Sequence, residues 1–289
     1  MFEEDLTKKI KALTRNITSL PTLPTILAQV MELLNDPNSS VVKIGNVISA
    51  DPPSAARIIR LINSAYYGIR QNIPNIHQAI ILLGINTVKD LLLGCHIFNA
   101  FPNNKGSFDR QKFWEHSISC GVASKMMGKR YHFHIKGDLF VVGLLHDIGK
   151  IIIDQYLHSQ LEQINEVMKK NNVLGFEAEK IVLGVDHSHI GKWLAESWNL
   201  PTHVKISISL HHNPSLVSGN DILPTIVHIA NYLSHTIKNE SVQPLDDSAW
   251  GSMQKIDPNF SSKHIDELLK KLTTELEESS IFLNILKGR

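Results

Sequence analysis

The sequence predicts an all-α protein. Apolar residues recur at i, i+3, i+4 and i+7 along most of the 289 residues, which is the period of an amphipathic helix. No stretch in the first hundred residues offers strand alternation bounded by turns. Pro, Asn and Gly interrupt the apolar runs at intervals suited to short helices rather than to a sheet.

From Pro24, PTILAQVMELLND sets Ile26, Leu27, Val30, Leu33 and Leu34 on one stripe, with the proline suited to a first turn. Asn35, Asp36, Pro37 and Asn38 end that helix. SVVKIGNVISADP repeats the spacing through Val42, Ile44, Val47 and Ile48 and stops before Pro52 and Pro53. SAARIIRLINSAYYG follows, with Ser54 read as its N-cap and Gly68 as its C-terminal stop. Tyr66 and Tyr67 are read as packing rings with bonded hydroxyls. IHQAIILLGINTVKDLLLGCHIF reads as two short helices articulated at Gly84, the second capped by Asn86.

FPNNKGSFD, residues 101–109, is rich in turn formers and marks an internal boundary. Residues 1–108 are accordingly one helical subdomain, 109–240 a second, and 241–289 a loop with a terminal helix. In the second subdomain RQKFWEHSISCGVASKMMGKR spaces Trp114, Ile118 and Val122 at i, i+4 and i+8. GLLHDIGKIII, SQLEQINEVMKKN and FEAEKIVLGVDHSHIGKWLAESWN are all helical in period. THVKISISLHH also alternates as a strand would, and Pro201 with the lack of a partner hairpin favours helix. After a loop at 213–224, TIVHIANYLSHTI resumes the helical pattern. Residues 239–260 read as loop, and SKHIDELLKKLTTELEES as an amphipathic helix with Ile265, Leu268, Leu269 and Leu272 on its apolar side.

Composition narrows the function classes. The formal net charge is +1, so no electrostatic footprint for nucleic acid is expected. MFEEDLTKKIKAL carries three acids where a secretory leader would be basic, and no apolar run reaches about 18 residues, so no membrane span is expected. With Cys95 and Cys120 alone there is no disulfide framework, and a reducing cytoplasm is the simplest setting. Fifteen histidines stand out, and imidazole is the commonest metal ligand.

The chemistry concentrates on "HDIGK". His146 and Asp147 offer an imidazole nitrogen and a carboxylate whose two oxygens can bridge two metals. Lys150 lies on roughly the same helical face as both. It either steadies a phosphate and the charge of a transition state or simply pairs with Asp147. His116 precedes this doublet; His187, the pair His211 and His212, and Asn231 follow it. His132 and His134 are read as surface residues, and His189, His203 and His228 as core or surface packing.

This ordered series resembles the HD superfamily of metal-dependent phosphohydrolases. The resemblance makes His116 the first histidine, His146 and Asp147 the doublet, and His187, His211 and His212 the second-metal histidines. Asn231 stands where the superfamily has its final aspartate. LPTLPTILAQVMELLND, IGNVISADPPSAARIIRLINSAYYG and IHQAIILLGINTVKDLLL sharpen this to a resemblance to the HDOD family, the HD-related output domain of bacterial signalling proteins. It covers roughly residues 15–235. It implies an N-terminal helical bundle packed on an HD-like bundle, a signalling partner, and one or two divalent ions, with Fe, Zn and Mn all compatible.

Departures from the pattern bear on activity. Relatives that hydrolyse cyclic-di-GMP follow their paired histidines with Glu and a Gly-Tyr-Pro loop, and HHNPSLVSGND has neither. Their glutamate four residues before the first histidine is Lys112 here. The expectation is therefore a regulatory protein without turnover, holding a partly retained metal site in which Asn231 weakens the first position. The competing expectation is a metal-dependent phosphohydrolase acting on a nucleotide or cyclic nucleotide, with Asp147 and Lys150 as catalytic groups.

Overall fold

The computed structural model describes residues 24–36, 38–64, 69–101, 108–131, 139–217, 221–240, 242 and 244–278. Gly68, Tyr66, Tyr67, His132, His134, the N-terminal stretch and the side chain of Asn86 lie outside the described ones, and so do the expectations attached to them. Among the described residues the regular elements are helical and none is a strand. The chain forms two compact units, one holding the described residues of 21–102, 135–141 and 273–289, the other those of 103–134 and 142–272.

The smaller unit carries α1 (Thr25–Asn35), α2 (Val41–Ser49), α3 (Pro52–Ile62) and α4 (Ile76–Ala100). Ser40 caps α2, its side chain accepting from the Lys43 amide, and Ile44 and Ile48 are the apolar residues it buries. Ser54 is not the cap of α3. Asp51 is, accepting from the Ser54 amide, because Pro52 and Pro53 have no amide to offer and fit the first helical turn. Ser54 Oγ instead meets His96 Nε2 at 2.7 Å, and Arg57 donates to the Cys95 carbonyl at 2.8 Å, so polar contacts as well as Ile58, Leu61 and Ile62 tie α3 to α4. Gly84, at φ 80° and ψ 155°, breaks α4 into two limbs as the sequence predicts, and no Cβ could take that φ without strain.

The larger unit is built on α5 (Arg110–Arg130), capped by Asp109 and buried along nearly its whole length. It continues through α6 (Leu139–Leu145) from residue 142 on, α7 (Gly149–Tyr156), α8 (His158–Asn171), α9 (Gly175–Leu183), α10 (His187–Ser197), α11 (Thr202–Leu210), a 3-10 turn at Pro214–Leu216, α12 (Leu223–Thr236), α13 (Asp247–Gln254) and α14 (Ser262–Glu278) as far as residue 272. Helix α12 packs on α5, α11 on α12, α10 on α11, and α7 on α10. The segment 202–210 is helical, resolving its ambiguous period. No single described helix is long and apolar enough to cross a membrane.

Three local expectations change. The "HDIGK" stretch is not one helix: His146, Asp147 and Ile148 form a turn between α6 and α7, closed by Ile148 N to Leu145 O and Lys150 N to Asp147 O. Residues 175–197 are two helices, because Gly184 adopts the left-handed conformation (φ 74°) and Asp186 begins a new helix. Residues 239–260 are not all loop, since Asp246 caps α13, accepting from the Ala249 amide at 2.7 Å, and Ala249 and Met253 bury its short apolar face. In α14, Ile265, Leu268 and Leu272 are buried, and Glu267 accepts from Arg130 at 2.8 Å.

Candidate metal centre

Five segments of the larger unit supply the candidate ligands. His116 projects from α5, His146 and Asp147 from the α6–α7 turn, and His187 opens α10. His211 and His212 follow the last residue of α11, and Asn231 lies on α12. His187 is fixed at a helix start because the Asp186 side chain accepts from the Ser188 and His189 amides. All seven residues are buried, His146 and His211 completely.

Six of them converge in two groups that share Asp147: His116, His146 and Asp147, and Asp147, His187, His211 and His212. Within each group the ligand atoms lie within 4.8 Å of one another. Asp147 Oδ1 is 2.9 Å from His187 Nε2 and 3.6 Å from His211 Nε2. Asp147 Oδ2 is 3.4 Å from His146 Nε2 and 3.7 Å from His116 Nε2, and accepts from Lys150 Nζ at 2.6 Å. A carboxylate so placed faces one group with each oxygen.

Outer contacts aim the rings. His146 Nδ1 meets the Gly143 carbonyl at 2.7 Å and His211 Nδ1 the Ile208 carbonyl at 2.8 Å, so each Nδ1 donates and each Nε2 turns inward as a lone pair. His187 Nδ1 meets Glu179 Oε2 at 2.6 Å, the carboxylate–imidazole pairing that holds many metal ligands. His228, read from the sequence as packing, is buried and bonds through Nδ1 to the His211 carbonyl.

The donor set fits a divalent cation on two grounds. His211 Nε2 and Asn231 Oδ1 are buried with no hydrogen-bond partner, and Asp147 Oδ1 is buried with His187 Nε2 2.9 Å away. Unmet buried acceptors cost roughly 1–3 kcal/mol each, a penalty that a cation between them removes. Second, imidazole nitrogens meet in pairs, His187 and His212 Nε2 at 3.0 Å and His116 and His146 Nε2 at 3.3 Å, close enough for both members of a pair to reach one ion once the proton between them is displaced. Imidazole with carboxylate suits Zn, Fe and Mn.

Protonation follows burial and neighbours. Burial drives His146 down to about 3 against the pull of Asp147, and holds His116 and His212 well below their usual value, with adjacent imidazoles adding to the effect. Burial opposes ionisation of Asp147, but His146, Lys150 and His187 together keep it well below the usual carboxylate range. His187 behaves differently: burial works against its charge, yet Glu179 and Asp147 push it up to about 9. The cluster is thus ready for a cation at neutral pH except for one proton on His187.

Asn231 lines a cavity of about 310 Å³ beside this site, together with Lys150, His187, His212 and His235. The Lys150 ammonium pairs with Asp147, the simpler of its two expected roles. Sequence reasoning did not find Glu179, because nothing in the order of residues links it to His187 until α9 folds back. It also passed over His235 and Glu240. His235 lies one turn beyond Asn231 on α12, its ring tilted 31° against that of His116 with centroids 4.1 Å apart, and bonds to Glu240 at 2.8 Å. That one-turn spacing from Asn231 was the available signal.

The chain is similar over its length to several solved structures. An HDOD domain protein of unknown function from Geobacter sulfurreducens has 23% identity and a TM-score of 0.76, covering 99% of this chain and 98% of that one. A candidate phosphohydrolase from Shewanella amazonensis SB2B has 23% identity and a TM-score of 0.72, covering 96% and 97%. At these identities the likeness establishes the all-α fold. An uncharacterised protein of Treponema pallidum (strain Nichols) is 24% identical over 213 residues, and the chain spans 41% of that relative's length. The sequence profile of the HDOD domain matches residues 20–214. That match covers more than half of the sequence, and the chain belongs to the HDOD family.

Proposed function

We propose that this chain is a regulatory HDOD protein whose larger unit is organised around a divalent metal centre of one or two ions, and that it works by binding rather than turnover. The observation that carries the reading is the set of inward-turned Nε2 atoms around Asp147, with Nε2 of His211 and Oδ1 of Asn231 buried and unbonded. His116, His146 and Asp147 would hold one ion, and Asp147, His187, His211 and His212 the other. Glu179 and the Gly143 and Ile208 carbonyls orient those ligands, and Lys150 balances the charge of Asp147. When bound, such a cation supplies Lewis acidity and a cross-link among segments that are far apart in sequence. Fe, Zn and Mn are all compatible with the donor set.

Two features support binding over turnover. Asn231 brings a neutral amide where a carboxylate would strengthen the first position. Lys150, the ammonium at the cavity wall, is held by Asp147 at 2.6 Å instead of being presented to a phosphate. The signalling role and a signalling-protein partner rest on the family. A reducing cytoplasm suits two buried, unpaired cysteines, Cys95 and Cys120.

A second reading, hydrolysis of a nucleotide or another phosphoester, is favoured by the cavity that reaches His187, His212 and Lys150. A chelator titration beside a phosphoester panel separates the two. Regulation by binding predicts that metal removal lowers Tm while wild type and Asp147→Ala show the same absence of turnover. Turnover that Asp147→Ala abolishes in a folded protein would replace it with the second reading.

A further inference from the structure

The lining of the cavity beside the metal centre is of two chemical kinds. His187, His212, Asn231, His235 and Lys150 are its polar residues nearest the candidate ligands in sequence or contact. Ile153, Leu161, Ile164, Met168, Leu174 and Phe176, from α7, α8 and the start of α9, give it an apolar wall in which Asn165 is the polar residue. Charges among the lining residues are already matched: Lys150 with Asp147 at 2.6 Å, and Glu179 with His187 at 2.6 Å. A cation at Asp147 therefore adds net positive charge beside the polar lining residues, where Lys150 is already paired. At about 310 Å³ the space lies at the lower limit of roughly 300–1,000 Å³ for small-molecule sites.

We infer that this cavity binds a small amphipathic anion, with one anionic head toward the metal centre and an apolar body against Ile164, Met168 and Phe176. This rests on the metal centre proposed above and names the chemical class of the signal that the regulatory protein reads. The face of Phe176 stacked on His212 (centroids 4.3 Å apart, 19° between planes) is already taken, and Lys180 Nζ lies 4.9 Å from the ring centroid. An alkyl body fits this wall better than a stacked base.

The test is calorimetric titration of the zinc-loaded full chain with inorganic phosphate, hexyl phosphate and hexanoate. Each buried methylene contributes about fourfold in affinity, so hexyl phosphate should bind roughly fiftyfold or more tighter than inorganic phosphate. Hexanoate matching hexyl phosphate would make charge alone the head's requirement, and hexyl phosphate binding more tightly would make the head a phosphate; both outcomes support the cavity. Met168 is half-buried on α8, and Met168→Glu should weaken hexyl phosphate more than tenfold while leaving zinc content and inorganic phosphate binding unchanged. Met168→Ala, the milder change, should weaken it severalfold. Hexyl phosphate binding no tighter than inorganic phosphate, or indifferent to Met168→Glu, overturns the inference. Zinc content measured on the same samples is a separate readout: its absence overturns the metal centre, while the methylene dependence, repeated on metal-free protein, still decides the apolar wall.

Discussion

Gly149 opens α7 directly after the His-Asp turn, and a methyl group there has nowhere to go. A Cβ on it would lie 2.0 Å from the His187 carbonyl oxygen and 2.8 Å from the Gly191 amide nitrogen. Both are backbone atoms of α10 and cannot swing aside. Ordinary contact begins near 3.4 Å, so Gly149→Ala must open the α7–α10 spacing by about 1.4 Å. Asp147 and His187 sit on opposite sides of that gap with Oδ1 and Nε2 2.9 Å apart, and metal–ligand distances tolerate only about 0.2 Å. Overpacking of this kind costs about 1–3 kcal/mol, or roughly 2–12 °C in Tm for a domain of this size, and misplaced ligands should lose at least about tenfold in metal affinity. Thermal denaturation with elemental analysis reads both. Gly251→Ala is the control, because its added Cβ meets nothing within 4 Å and alanine favours the interior of α13. Wild-type Tm and metal content in Gly149→Ala would refute the argument that this close approach sets the site.

Asn231→Asp should raise metal occupancy and, with its added buried carboxylate unpaired, lower the stability of the metal-free protein; unchanged metal content would place residue 231 outside the site. The metal-free protein holds a proton on His187 below about pH 9 that a cation must displace, so apparent metal affinity should rise about tenfold per pH unit from neutrality and level off above about pH 9. A pH-independent affinity over that range contradicts the assignment of His187 as a ligand. Asp154→Ala should cost about 1.5–3 kcal/mol by removing the carboxylate that buried Arg110 reaches through Nε and Nη2 at 2.7 and 2.5 Å; urea denaturation measures it, and a loss below about 0.5 kcal/mol would make the pair dispensable.

What the sequence made legible divides along physical lines. Helical period found α5 and α14 because their large apolar residues, such as Trp114, Ile118 and Val122 or Ile265, Leu268 and Leu272, recur every three or four positions, and Gly84 announced its break because it ends the apolar run Ala79–Leu83. The caps were harder. Ser54 and Asp51 both suit an N-cap, and only the two prolines between them decide for Asp51. Helix α13 was hidden because DSAWGSMQ buries just two residues, too few for a period to emerge. The candidate ligand histidines could be read in order because they flank a recognisable doublet, whereas Glu179 meets His187 only when α9 and α10 fold together, and His235 offered no signal beyond its one-turn spacing from Asn231. The turn at His146–Ile148 also escaped, since its apolar flanks continue the helical period on both sides of the break.

The most direct test of the metal centre is elemental analysis of protein purified without added metal or chelator, alongside His146→Ala. Near-stoichiometric Fe, Zn or Mn in the wild type, lost in a folded His146→Ala, is the result expected from a ring fully buried with its Nδ1 fixed by Gly143 and its Nε2 turned toward Asp147. A folded wild-type protein that carries no metal and takes up none when Fe, Zn or Mn is added would contradict it.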